Sequence, residues 1–191
     1  MTTANPMFSS WQLGQFRRTL RTSGIIAYPT EAVWGLGCDP WDTEAVDRLL
    51  DLKQRPAEKG LILVASSVEQ IDFLLAPLTS AQRSLALAYW PGPVTCLLPD
   101  IEDQIPANVK GEHTSIAVRV SDHPVVRALC EAAGQPLVST SCNPAGRPPA
   151  RWSWQVRRYF GAGIDQLIAG DLGGARRPSR IVDIVSGRWL R

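Results

Sequence analysis

Short apolar runs alternate with amphipathic stretches along most of this chain, and turn residues mark nearly every boundary. Ser9 or Ser10 can cap a first helix through about Arg21, with Trp11, Phe16 and Leu20 available for packing. Gly24 releases an apolar strand (Ile25, Ile26, Ala27) that stops at Pro29, where the missing N–H ends the ladder. Gly35 and Gly37 then allow tight backbone geometry or close approach to a bound group. Asp42 or Thr43 can cap a second helix, with Val46, Leu49 and Leu50 on one apolar face, ending ahead of Pro56.

Residues 60–64 have the length of a buried strand. Ser67 and Gln70 resemble a capping box for a helix holding Ile71, Leu74 and Leu75, stopped by Pro77. A helix over 79–89 ends at Trp90-Pro91-Gly92-Pro93, and a strand over 94–98 is closed by Pro99. Residues 100–112 are polar and read as a loop; residues 115–120 return to strand character. A helix over Pro124–Ala133 ends at Gly134, and Leu137-Val138 leads into hydroxyl and turn residues from Ser139. Ser153 can cap a helix through Phe160, after which come a Gly-rich loop over 170–180, a strand over 181–185 and a hairpin-like end.

Strands and helices alternate without a clean βαβ repeat. The expected class is therefore α/β, with a mixed β-sheet flanked by helices in a single domain over 1–191. No repeat, low-complexity tract or linker interrupts it.

Composition sharpens the picture. With 191 residues, 45% of them hydrophobic, the chain can build a core without disulfides or metals. No run approaches the roughly 18 apolar residues of a membrane span, and the first ten residues lack a signal-peptide pattern. A soluble cytoplasmic protein with no membrane partner is the expectation. Cys38, Cys96, Cys130 and Cys142 form no Cys-x-x-Cys pair, and only two histidines exist, so neither a zinc site nor a multi-histidine metal site is expected. His123, in Ser121-Asp122-His123-Pro124, reads as a structural helix start.

Charge is uneven. Residues 1–145 carry eleven basic and fifteen acidic residues, a net of −4; residues 146–191 carry nine arginines and three aspartates, a net of +6. That end, with Trp152, Trp154 and Tyr159 interleaved, can face the phosphates of a nucleotide or an RNA, or form a solvated basic surface.

Candidate chemistry gathers at strand ends. Thr30 and Glu31 follow the first strand, where open α/β sheets place ligands. Lys53, Arg55 and Lys59 suit an anion pocket, although from spacing alone they are first of all ordinary features of a helix C-terminus. Arg119, in an otherwise apolar strand, must reach an edge or pair with an anion. Residues 139–143 (Ser-Thr-Ser-Cys-Asn) can bond a polar ligand or satisfy their own turn. There is no phosphate loop of the Gly-x-x-x-x-Gly-Lys type, no complete dinucleotide fingerprint and no Ser–His–Asp or Cys–His signal. Any bound nucleotide must be cradled by side chains and strand-end loops.

From Gly24 to Arg188 the chain resembles the YrdC family in its short, single-domain bacterial form. The motifs are Tyr-Pro-Thr-Glu-Ala-Val-Trp-Gly-Leu-Gly-Cys-Asp (from Tyr28), Lys53-Gln54-Arg55-Pro56, Lys59-Gly60-Leu61-Ile62, Trp90-Pro91-Gly92-Pro93-Val94-Thr95, Ala117-Val118-Arg119-Val120, Asp122-His123-Pro124 and Ser139-Thr140-Ser141-Cys142-Asn143. The resemblance implies a twisted α/β fold with a large cationic concave cleft. It implies a synthase, a nucleotidyltransferase forming threonylcarbamoyl-AMP, pyrophosphate and water from L-threonine, bicarbonate and ATP, with Mg²⁺ accompanying ATP. The product would feed N6-threonylcarbamoyladenosine formation on tRNA through a separate transferase complex, with direct tRNA contact left open.

By the same resemblance Thr30, Arg119 and Ser139 would hold threonine. Arg55, Lys59, Ser115 and Ser141 would contact ATP, Lys53 would neutralise the reacting anions, and Asn143 would shape the cleft or bond the nucleotide. Arg176, Arg177 and Ser179 fall where the family's later nucleotide-contacting segment lies. No covalent nucleophile is implied. Cys142 replaces the family's usual Ala, Val64 stands where longer relatives carry a His, and Arg177-Pro178-Ser179 replaces their Glu-Ser-Thr. Two other readings stay in view: a noncatalytic RNA-binding protein, and an enzyme handling carbamoyl or acyl phosphates.

Overall fold

The computed structural model describes residues 7–175 and 177–190. One eight-stranded sheet runs through it in the order β7-β1-β2-β6-β3-β5-β4-β8. The strands are β1 (Ile26–Pro29), β2 (Trp34–Gly37), β3 (Ile62–Ala65), β4 (Val94–Pro99), β5 (Ser115–Val120), β6 (Leu137–Ser141), β7 (Gln166–Leu167) and β8 (Arg180–Asp183). The pairs β1–β7, β3–β5 and β4–β8 are parallel and the rest antiparallel, the mixed sheet expected from the irregular element order.

Alternation along the strands sends side chains to two cores. Ile26, Tyr28, Val64 and Leu137 pack with Phe16 and Leu20 of α1 (Ser10–Arg21) and with Val125, Val126 and Leu129 of α6 (Pro124–Ala133). Ile25, Ala27, Leu36 and Leu63 pack on the other face with Val46 and Leu49 of α2 (Thr43–Lys53). Fully burying a side chain such as Phe16 or Leu129 contributes roughly 2–3 kcal/mol. Caps fix where helices begin. Ser9 accepts from the Gln12 N–H on α1, Asp42 accepts from the Ala45 N–H on α2, and Thr79 with Gln82 forms a capping box on α4 (Ser80–Leu87).

Several expectations are corrected. Trp11 is 72% exposed and stays outside the core that Phe16 and Leu20 enter. Ser67 and Gln70 form no capping box. Gln70 instead accepts from the Ser66 N–H and donates to the Cys130 carbonyl, both at 2.9 Å, while a 3-10 turn over Glu69–Ile71 precedes the short α3 (Asp72–Leu75). The stretch read as loop contains α5 (Ala107–Lys110), and Trp152, not Ser153, occupies the cap of α7 (Ser153–Phe160). Residues 34–37 and 139–141 are strand, and the two-residue β7 was not anticipated.

Candidate active site

Pro29 closes β1 and Trp34 opens β2, leaving residues 30–33 as the tip of a hairpin. Thr30 fixes that tip: its backbone N–H and its Oγ1 both donate to the Val33 carbonyl, at 3.2 and 2.7 Å. Gly35, across from Tyr28, leaves open the floor beside it. A Cβ there would stand 3.2 Å from the Thr30 methyl and 3.6 Å from Ser139 Oγ. Beside the tip lies a cleft of about 290 Å³. Its walls come from the hairpin, Arg55, the start of β3, Arg119 of β5, residues 139–141 of β6 and residues 177–179 ahead of β8.

Six of the predicted site residues line this cleft: Thr30, Arg55, Arg119, Ser139, Ser141 and Ser179, joined by Arg177. Arg176 lies outside the described residues. On β5, exposure alternates so that Ser115, Ala117 and Arg119 share one sheet face. Ser115 is off the cleft wall, about 13 Å further along the strand from Arg119. Lys59 ends an exposed 3-10 turn, and its carbonyl accepts from Arg55 Nη2 at 3.4 Å. The Gly60 carbonyl takes Arg55 Nη2 at 2.8 Å. Burial holds the Arg55 guanidinium below its usual range.

Lys53 is buried behind the wall. Its Nζ donates to the carbonyls of Ser141 and Asn143, the latter at 2.9 Å, and burial pushes its ammonium down to about 8. Asn143 completes this corner. Its Oδ1 accepts from Ser141 Oγ at 2.6 Å and its Nδ2 donates to the Arg147 carbonyl at 2.8 Å. Lys53 and Asn143 therefore set the path of the chain that presents Ser141.

Arg119 meets the anion that its strand position demanded: Nη2 stands 3.2 Å from Glu31 Oε2, with both side chains largely buried. The other carboxylate oxygen, Oε1, accepts from Ser121 Oγ at 2.6 Å. Sequence reasoning placed Glu31 at the strand end and assigned it no role. The available signal was a carboxylate and an unpaired strand arginine in one α/β sheet. Buried Cys142, pushed up to about 12 by its surroundings, is no nucleophile at neutral pH. The lining thus offers three guanidinium groups, one carboxylate already paired, several hydroxyls and no activated nucleophile. Such a set binds and orients anions. It does not attack them.

Comparison with known proteins gives this site a context. The family model Sua5_yciO_yrdC, described as "Telomere recombination", matches residues 18–191. A Marinobacter nauticus protein named threonylcarbamoyl-AMP synthase is 67% identical over 189 residues, 99% of this chain and 98% of that one. The protein of that name from Pseudomonas aeruginosa is 52% identical, over 97% of this chain and 99% of its own. Among solved structures, P. abyssi Sua5 complexed with L-threonine superposes with a TM-score of 0.82 at 31% identity, covering 92% of this chain and 52% of that one.

Proposed function

The chain belongs to the Sua5/YciO/YrdC family, and on that premise we propose that it is a nucleotidyltransferase making threonylcarbamoyl-AMP from L-threonine, bicarbonate and ATP. Pyrophosphate and water are the other products. The observation that carries this reading is the single cleft lined together by Thr30, Arg119 and Ser139, the residues assigned to threonine, and by Arg55, Ser141, Arg177 and Ser179, those assigned to the nucleotide. That wall offers an amino-acid carboxylate and a triphosphate adjoining places. Relatives that carry the synthase name match this chain from end to end.

Each step follows from the chemistry of the groups. Arg119, oriented by Glu31, holds the threonine carboxylate, with Thr30 and Ser139 beside it. The amine adds to the carbon of bicarbonate-derived CO2, and the resulting carbamate oxygen attacks the α-phosphorus of ATP as pyrophosphate leaves. Carboxylate, carbamate and phosphates are all anionic. Fixed guanidinium groups in a partly dry cleft lower the cost of bringing them together. Arg55, Lys59, Ser115, Ser141, Asn143 and Ser179 are assigned to the nucleotide side. Lys53 acts from behind the wall through its charge and its two carbonyl partners.

Mg²⁺ is assigned to the nucleotide, as part of the ATP substrate. Among the described residues no cluster of three or more metal-ligating side chains occurs, and the one carboxylate on the cleft wall, Glu31, is paired to Arg119. The donor set therefore suits a metal carried on phosphates, not one held in a protein cage. A tRNA-modifying transferase complex would consume the product. Four unpaired cysteines favour a reducing compartment such as the cytoplasm, and among the described residues no helix is long and apolar enough to cross a membrane.

Pyrophosphate release from ATP and Mg²⁺, with threonine and bicarbonate omitted in turn, tests the proposal. Release that requires both is expected; release indifferent to threonine would refute it. One observation favours a second property, RNA binding. Arg147, Arg151, Arg157 and Arg158 are exposed on and before α7 beside Trp152 and Trp154, and no acidic residue occurs between 146 and 160. RNA affinity on that face would fall steeply with salt and would not require threonine.

A further inference from the structure

The helix-start motif around His123 has a second set of contacts, which the reaction scheme does not use. His123 is 4% exposed, and its Nε2 lies 3.1 Å from the Asp171 carbonyl. A carbonyl only accepts, so the ring carries its proton on Nε2, and Nδ1 is left bare. Nδ1 is itself buried without a partner.

Asp171 begins a strap that crosses the strand end and continues to the cleft. The Gly173 N–H donates to the Thr30 carbonyl at 3.1 Å, and the Ala175 N–H donates to the Glu31 carbonyl at 2.8 Å. The strap packs closely at Gly173, where a Cβ would stand 3.0 Å from the imidazole Cδ2 and 3.1 Å from Glu31 Cα, so that a larger residue would have to push its neighbours back by a few tenths of an ångström. Beyond it the same segment supplies Ala175, Arg177 and Ser179 to the cleft wall, and Ser179 Oγ meets Thr95 Oγ at 2.9 Å.

The base of the strap is tied to the threonine side as well. The His123 N–H donates to Ser121 Oγ at 3.1 Å, and that hydroxyl donates to Glu31, the partner of Arg119. Of the five buried polar side-chain atoms without a hydrogen bond among the described residues, three belong to Glu31, Arg119 and His123. Glu31 Oε2 has its ion pair with Arg119, which leaves Arg119 Nε and His123 Nδ1 as the unpartnered atoms here, and such atoms are costly in a core.

We propose that His123 is a positioning residue: its Nε2–H pins the strap at Asp171 to the start of α6, which holds residues 173–175 in register with the hairpin tip and so fixes where Arg177 and Ser179 stand for the nucleotide. The link to the nucleotide rests on the synthase reading, whereas the pinning itself does not. Three variants separate the roles. His123→Ala removes the donor. His123→Gln places an amide N–H where Nε2 was, whereas His123→Asn reaches only as far as Nδ1.

Two readouts are taken on each full-length variant, after circular dichroism confirms folding. Backbone amide exchange at Gly173 and Ala175 should quicken about tenfold, the usual worth of one hydrogen bond, in the Ala and Asn variants and stay near wild type in Gln. The KM for ATP in threonine-dependent pyrophosphate release should follow the same order, about tenfold up, with the KM for threonine moving less than threefold. A residue that merely fills space would lower the melting temperature in all three without this pattern. Unchanged exchange at Gly173 and Ala175 in a folded His123→Ala or His123→Asn protein would overturn the proposal. A wild-type protein that releases no pyrophosphate would sink the synthase reading alone, since the exchange measurement still decides the pinning.

Discussion

Lys53 gives a prediction whose sign and size both come from its surroundings. Burial pushes its ammonium from the ordinary 10.5 down to about 8, with neighbouring Arg55 adding to the effect and Cys142 opposing it. A displacement of that size corresponds to roughly 3 kcal/mol between the two protonation states. Below about pH 8 both folded and unfolded chains hold the proton, and the desolvated charge weighs fully against folding. Between about 8 and 10.5 the folded chain releases it first, so the unfolded chain binds more protons and stability rises with pH. Urea unfolding of wild type and Lys53→Met at pH 7.5 and 10 isolates the effect, because ionisation of Tyr28 and the cysteines is common to both. The wild type should gain about 2 kcal/mol on the variant across that interval. If the charge also serves the reaction, wild-type pyrophosphate release should fall off above pH 8. A stability difference that stays flat between the two pH values would refute the reasoning, and would mean that the Ser141 and Asn143 carbonyls fully replace the lost water.

Other substitutions probe the remaining parts. Arg119→Ala should raise the KM for threonine roughly 30- to 100-fold, the worth of charged hydrogen bonds. Arg119→Lys should recover little of it, since a single ammonium cannot serve Glu31 and a substrate carboxylate in the same plane; equal kinetics for Lys and Arg would count against the assignment. Cys142→Ala should retain activity within about twofold, because a buried thiol near 12 takes no part in the chemistry, and a large loss in steady-state turnover would reopen that point. Asp100 is desolvated, yet the Lys110 ammonium and the Gln104 and Ile105 N–H groups hold its carboxyl below the ordinary 3.8. Its stabilising effect is thus present above about pH 4 and lost as pH falls. The advantage of wild type over Asp100→Asn in acid melts should shrink below that value.

Local signals made much of this fold legible. The Asp42 cap, the Gly134 terminator and the lone strand arginine at 119 each rest on contacts within a few residues or on one strong burial penalty. The misses share a different origin. Residues 34–37 (Trp-Gly-Leu-Gly) have weak strand propensity and become β2 only because β1 and β6 flank them on both sides. Lys53 reads as a helix-end cation; that its ammonium turns inward to carbonyls about ninety residues ahead depends on β6 arriving beside α2. Gln70 has the right spacing for a cap, but long-range partners at Ser66 and Cys130 compete for its amide and win. For the site, residue type and strand-end position marked Thr30, Arg119, Ser139 and Ser141. The role of Glu31 became visible only once Arg119 and Ser121 stood beside it.

The order of the sheet has a bearing on how the molecule is made. Its outermost strands, β7 and β8, are drawn from the last quarter of the chain and add in parallel to β1 and β4, which are synthesised far earlier. Both flanks of the growing sheet present open rows of N–H and C=O groups until residue 167 has emerged, and the β4 flank does so until residue 183 follows, the form in which strands recruit foreign chains. The residues that cover those flanks lie on either side of the strap that carries Arg177 and Ser179 to the cleft. A ribosome-bound chain therefore keeps its β4 flank open and lacks part of its cleft wall over the same interval, and loses both conditions in a single late step.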